Sequence, residues 1–207
     1  MAMPYDLVGR YIDYTVDMGG GKANGQVLTN KTSNASVNVY NTGLVRTGPP
    51  WTFTYLKYVL GAVTVCPLTG PVMTGPLSGC YIFRYTQNGP KLAHVGTAHT
   101  PTDDSTVQAK TAWRGLIANN TTNITGSSPF NCLTQKDFTD SMFKGSRVPV
   151  CVGYYAGGQG YAMTLTAVPS TMLPTDKRGL KLLRVGVVKR MTMQPWAQIQ
   201  NTPKFRQ

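Results

Sequence analysis

The stretch TGPLSGCYIFRYTQNGPKLAHVGT, residues 74–97, sets a cysteine and a histidine on either side of a Gln-Asn-Gly turn. The chain holds four cysteines and only two histidines, so Cys80 and His94 are scarce residues placed in one short unit. A thiol becomes a nucleophile when a neighbour lowers its pKa or takes its proton, and a histidine within hydrogen-bond reach does both. The chemistry open to such a pair is attack on a carbonyl carbon through a thioester. Ser78 and Gly79, in the turn GPLSG, leave backbone N–H groups near the thiol that could receive an oxyanion. Thr74 could hold the imidazole through its hydroxyl or carbonyl, the third-group role that sets tautomer and orientation.

Whether the pair can meet depends on the hairpin that carries it. A two-residue Asn88-Gly89 turn would put Thr86 opposite Lys91 and send Cys80 and His94 to opposite faces. A three-residue Gln87-Asn88-Gly89 loop, a type I turn with Gly89 in the left-handed position, puts Ile82 opposite His94 and Cys80 opposite Gly96. The thiol and imidazole then share a face, one step diagonal to each other. Pro90 favours this register, since it falls at the loop edge where its missing N–H matters less.

The elements around this unit are mostly strands. Twenty-two glycines, fourteen prolines and eleven tyrosines, with few charges, describe short strands joined by turns. The runs YDLVGRYIDYTV, ASVNVYN, WTFTYLKYVLGAVTVC (broken at Gly61), VPVCVGYYA, YAMTLTAVP and LKLLRVGVVKRM read as strands. DDSTVQAKTAWRGLIAN is the strong helix signal, with Ser105 as cap, Gln108 completing a capping box, and Ala109, Trp113, Leu116 and Ile117 as a core-facing stripe. A second short helix is expected around Lys136 to Phe143. NNTTNITGSSPFN reads as a polar loop, MGGGKANG as a turn without the full phosphate-loop pattern, and NTPKFRQ as a flexible end. The expected fold class is α+β, mainly β, with one domain over residues 1–207 and a few helices.

A net charge of +12 suits nucleic acid, an anionic surface or an acidic protein. Eight of the basic residues lie between Lys177 and Arg206, and the plain reading of that stretch is a solvated basic tail. No run approaches a membrane span, and the N-terminus lacks signal-peptide character, so a soluble chain is expected. Cys66, Cys80, Cys132 and Cys151, spaced by 14, 52 and 19 residues, match no zinc or redox pattern, and free thiols are expected. Cys66, Cys132 and Cys151 read as inert packing thiols. His99 is the fallback base should the hairpin adopt another register.

LSGC followed by a spaced HVGT, with a threonine six residues before the cysteine, resembles the catalytic signature of the cytotoxic necrotizing factor family and its compact Burkholderia lethal factor-like members, which are glutamine deamidase toxins. The chemoreceptor deamidases share their core. The match spans Thr74 to Thr97, about a tenth of the chain. The resemblance implies a Cys-His pair on a β-sandwich, with Cys80 as nucleophile, His94 as general base and acid, and Thr74 as third group. It also implies no metal and no cofactor, and a host protein substrate such as a small GTPase or a translation-initiation RNA helicase. A monomer without a stable nucleic acid complex is expected. No receptor-binding or translocation region is expected, and the resemblance to the compact members implies a bacterial protein delivered into the host cell cytoplasm by other means.

Two other readings stay open. The same pair could pass the thioester to an amine, as a transglutaminase, or attack a peptide bond, as a cysteine protease. Alternatively the chain is a basic β-rich nucleic-acid-binding or coat protein in which Cys80 is packing. An activated Cys80 should be alkylated faster than the other three cysteines.

Overall fold

The protein is described by a computed structural model covering residues 4–13, 18, 20–98, 100–119, 121–142 and 148–206. After a short 3-10 turn, Pro4–Leu7, come β1 (Tyr11–Asp13), β2 (Gly21–Lys22), β3 (Val27–Leu28), β4 (Thr32–Val37) and β5 (Val39–Tyr40). The long aromatic and β-branched run makes three strands, β6 (Trp51–Lys57), β7 (Val59–Leu60) and β8 (Val63–Pro67). It breaks first at Tyr58 and again at Gly61, whose φ of 79° suits glycine. Then follow β9 (Val72–Leu77), β10 (Tyr81–Thr86), β11 (Pro90–Val95), helix α1 (Asp104–Ile117), β12 (Thr122–Ser127) and α2 (Gln135–Ser141). The chain continues through β13 (Val150–Ala156), β14 (Gln159–Ala167), β15 (Leu182–Arg190), β16 (Gln194–Pro195), α3 (Trp196–Ile199) and α4 (Pro203–Arg206).

An eight-stranded sheet runs β4-β6-β9-β13-β14-β15-β1-β5, and a six-stranded sheet runs β16-β12-β10-β11-β8-β3. Side-chain alternation decides how they stack. In β10 and β11, Ile82 and Leu92 point to one face, where they join Leu56, Val72, Leu77, Cys151 and Ala162 of the larger sheet. Tyr81, Phe83, Tyr85, Ala93 and Val95 point to the other face, where they pack on Ala109 and Trp113 of α1. The six-stranded sheet is therefore covered on both sides, which explains the nearly unbroken apolar run of its central strands. A third apolar cluster, built on Trp51, Phe53, Tyr55, Tyr154 and Met163, fills the far side of the eight-stranded sheet. The fold is α+β and mainly β, as composition and turn spacing predict, and the two sheets pack face to face across the cluster that holds Ile82, Leu92 and Leu56.

Several details differ from the sequence reading. Residues 5–7, read as strand, lie in the 3-10 turn Pro4–Leu7, and Gly21–Lys22, read as turn, form β2 and pair in parallel with β7. Residues 122–127, expected as loop, form β12 and pair with β10 from Ile82↔Ser127 to Thr86↔Thr122. The N-cap of α1 is Asp103, not Ser105, because the Asp103 carboxylate accepts from the Ser105 N–H. The C-terminal stretch is packed rather than loose: Phe205 is fully buried beside Trp196 and Tyr81, and its carbonyl accepts from Arg114 Nη2 at 2.6 Å. The short α2 lies where expected, with a capping box between Thr134 and Asp137; Phe143 and Gly19 lie outside the described residues.

Candidate functional site: a threonine, histidine and cysteine between the sheets

The β10–β11 hairpin adopts the three-residue register. Pairing runs from Tyr81↔Val95 through Ile82↔His94 to Thr86↔Pro90, leaving Gln87, Asn88 and Gly89 as the loop. Gly89 is left-handed at φ 107°, and Asn88 joins it at φ 52°, a conformation asparagine tolerates better than most side chains. His94 therefore sits on the inter-sheet face with Leu92 and Ile82 rather than toward α1. Cys80, entering β10 from the Ser78-Gly79 turn, belongs to the same inter-sheet cluster.

From the opposite sheet, β9 brings Thr74. Its inward-facing neighbours are Val72 and, across the ladder, Leu56 of β6, which pairs with Thr74 directly. The Thr74 hydroxyl donates to the Leu56 carbonyl at 2.7 Å and lies 2.6 Å from His94 Nδ1. A hydroxyl has one proton. With that proton on Leu56, the threonine oxygen can only accept from the imidazole, so Nδ1 carries the hydrogen and Nε2 keeps its lone pair. That is the tautomer a general base needs. His94 Nε2 is buried and has no hydrogen-bond partner. Thr64, directly opposite His94 across the β8–β11 ladder, is another buried side chain whose hydroxyl has no partner.

The Cys80 thiol is 1 % exposed and His94 likewise, so the pair is sealed. No hydrogen bond joins them: Cys80 Sγ donates to the Thr97 carbonyl at 3.4 Å, and Thr97 Oγ1 donates to the Gly79 carbonyl at 2.9 Å. Burial pushes the Cys80 thiol up, while hydrogen bonds from the backbone at Thr97, Gly79 and Ser78 pull against it. Burial pushes His94 down to about 3. At neutral pH the site holds a neutral thiol and a neutral imidazole. The raised thiol pKa reverses the expectation that Cys80 is the most reactive cysteine in the resting protein.

The remaining sequence candidates fall as follows. Gly79 is buried beside the thiol, and Ser78 has its side chain in solvent and only its backbone toward the sulfur. His99 lies outside the described residues. All four cysteines are free thiols. Cys66 is pushed up to about 12 by burial, Cys151 is also raised, mainly by burial, and Cys132 is partly exposed. Two neighbours were not singled out in advance. Thr97 lies in the quoted HVGT, and a short polar residue closing a buried strand was a readable signal. Tyr58 sits at the break between β6 and β7 with its ring 5.3 Å from the His94 ring. Burial, then nearby Cys80 and Asp103, raise its hydroxyl pKa.

Comparison of the chain with models of protein families, with curated proteins and with solved structures finds no match. No helix among the described residues is long and apolar enough to cross a membrane.

Proposed function

We propose that this chain is a protein glutamine deamidase that converts a glutamine of a host protein to glutamate through a Cys80 thioester. One observation carries the reading: the Thr74 hydroxyl, spent on Leu56 and 2.6 Å from His94 Nδ1, leaves Nε2 with a free lone pair in the buried layer that also holds the Cys80 thiol. The resemblance of residues 74–97 to the necrotizing factor deamidases supports it, and so does the hairpin register on which that resemblance depends.

The chemistry runs in two halves. As the carboxamide enters, the Cys80 S–H proton passes to His94 Nε2 and the sulfur bonds to the glutamine Cδ. The oxyanion is held by backbone N–H groups near Gly79 and Cys80. Collapse breaks the C–N bond, and the leaving amine takes the proton from His94 and departs as ammonia. Water then gives a proton to His94 as its oxygen attacks the thioester. The sulfur leaves, recovers that proton, and the product is a glutamate side chain. Thr74 holds the imidazole so that one nitrogen serves both halves.

Peptide mass spectrometry of a host lysate treated with wild type or Cys80→Ser tests the reading. A Gln-to-Glu conversion present only with wild type is expected, in a cytoplasmic target such as a small GTPase or a translation-initiation RNA helicase. Isopeptide cross-links would assign the pair to a transglutaminase and backbone cleavage to a protease. Salt-sensitive RNA binding with no covalent change would remove the enzyme reading.

A further inference from the structure

A deamidase of proteins must admit a glutamine side chain, yet both reacting groups are sealed. Tyr58 lies both against His94 and on an open cleft. Its ring packs near His94, and the same residue forms part of the wall of an open cleft of about 460 Å³. Gly20, Gly21, Lys22, Lys31 and Lys57 line that cleft with it, and no acidic residue does so among the described residues. Gly20 lies flat on the Tyr58 ring, since a Cβ there would meet the ring carbon Cδ1 at 2.6 Å. Behind the ring, the buried layer holds two unpartnered polar atoms, His94 Nε2 and Thr64 Oγ1. Such atoms are costly unless something pairs them. A primary carboxamide carries both a donor and an acceptor and can satisfy both kinds of group.

We propose that the cleft lined by Lys22 and Lys31 is the substrate entrance, that it takes an acidic glutamine-bearing protein segment, and that Tyr58 is the ring that swings aside to admit the carboxamide. The inference rests on the deamidase reading for its substrate but not for its route. Lys22 and Lys31 at one opening favour carboxylates flanking the target glutamine and steer an acidic partner toward it. Tyr58 is not anchored inside a regular strand, because it occupies the break between Lys57 and Val59. A moving side chain there need not disrupt a β-ladder.

The test measures Cys80 alkylation by iodoacetamide, a small neutral reagent, peptide by peptide in the folded protein. Tyr58→Ala should raise the Cys80 rate roughly tenfold, because the group that must move to expose it is gone. Gly21→Trp should lower the rate, since a Cβ at Gly21 meets nothing within 4 Å and the indole can occupy the cleft without displacing the core. Near-ultraviolet circular dichroism checks that each variant is folded. If Tyr58→Ala is not, Gly21→Trp decides alone. An unchanged Cys80 rate in folded Gly21→Trp or folded Tyr58→Ala overturns the route.

The substrate class is read in the same assay with synthetic glutamine peptides flanked by glutamates or by lysines. The acidic peptide should protect Cys80 in the wild type, and Lys22→Glu with Lys31→Glu should weaken that protection roughly tenfold, most at low salt. Protection by the basic peptide, or by single-stranded RNA alone, overturns the acidic-segment assignment. Ammonia is measured in parallel and separates the two claims. Protection without ammonia keeps the entrance and removes the deamidase, whereas ammonia release with Cys80 labelling indifferent to Tyr58 and Gly21 does the reverse.

Discussion

Replacing Thr74 by valine keeps the shape of the side chain and deletes one oxygen, which makes it the sharpest probe of the site. In the wild type that oxygen gives its proton to the Leu56 carbonyl at 2.7 Å and faces His94 Nδ1 at 2.6 Å, and all three groups lie in a dry layer. Thr74→Val leaves a buried carbonyl without its side-chain donor and a buried ring N–H without an acceptor. Each such loss costs about 1–3 kcal/mol, so the variant should lose roughly 2–6 kcal/mol of unfolding free energy, a large share of the about 5–15 kcal/mol typical of a domain. The catalytic effect follows from the same bond. Without an acceptor at Nδ1 the imidazole has no reason to keep Nε2 unprotonated, and losing about 1.4–2.7 kcal/mol of preference lowers the rate roughly 10- to 100-fold. Thr74→Ser keeps the oxygen and should stay near wild type in tautomer. Nitrogen-15 NMR reads the tautomer directly, because protonated and unprotonated ring nitrogens differ widely in shift, and His99→Gln assigns the two histidines. A wild-type His94 carrying its proton on Nε2, or a Thr74→Val protein with unchanged stability and tautomer, would refute the argument.

Acid should destabilise the protein through His94. Its folded pKa, about 3, lies below the ordinary 6.5, so the unfolded chain binds a proton that the folded one refuses. The associated stability is complete above pH 6.5 and drains away as pH falls toward 3, by on the order of 5 kcal/mol in total; denaturant titrations of wild type and His94→Gln across that range should diverge, with the variant flatter. Among the thiols, brief iodoacetamide labelling at neutral pH should mark partly exposed Cys132 first and leave Cys66, Cys80 and Cys151 slow, and a fast Cys80 would contradict the sealed resting site. Lys189→Met should cost about 1 kcal/mol in thermal or urea unfolding, because Lys189 Nζ is 2.6 Å from the Asp137 carboxylate; no loss would show that the pair is idle.

Turn chemistry made the hairpin legible before any coordinates. Asn-Gly followed by proline admits few loops, and a shift of one residue would have turned His94 away from Cys80. Thr74 was singled out from its place before Cys80, but the geometry of its contact with His94 was not legible, because the two sit in different sheets and no spacing rule reports what lies across a sandwich. Strand β12 was missed for a different reason. Its sequence, TNITGS, is polar and carries a glycine, and its first two residues are exposed, so it lacks the alternation that marks a half-buried strand. Gly126 is needed there because a side chain would run into the Phe83 ring. Phe205 shows the limit at the terminus, where one aromatic among basic and polar residues gave no periodic signal for a stretch held by Trp196, Tyr81 and Arg114. Tyr58 was hidden inside an apparently continuous strand run, since nothing local to YLKYV shows that the ladder breaks there.

The resting electrostatics constrain when the proton can move. A preformed thiolate–imidazolium pair would place two charges in a layer where both groups are about 1 % exposed, and burial already raises the thiol and depresses the imidazole. Their mutual attraction would have to repay the desolvation of both ions, and the sulfur instead spends its hydrogen on the Thr97 carbonyl. In the proposed reaction, activation therefore belongs to the substrate-bound protein. When a carboxamide enters, its carbonyl supplies a place for the electrons leaving sulfur, so proton transfer to Nε2 and bond formation at carbon can proceed together without an isolated ion pair. The backbone N–H groups that already pull the thiol pKa down lie beside the sulfur at Gly79 and Ser78, close to where an oxyanion would form. A nucleophile that is unreactive until its substrate arrives is also protected from oxidation, which follows thiolate character and exposure. In the proposed reaction, sealing Cys80 keeps the thiol intact until the substrate side chain arrives.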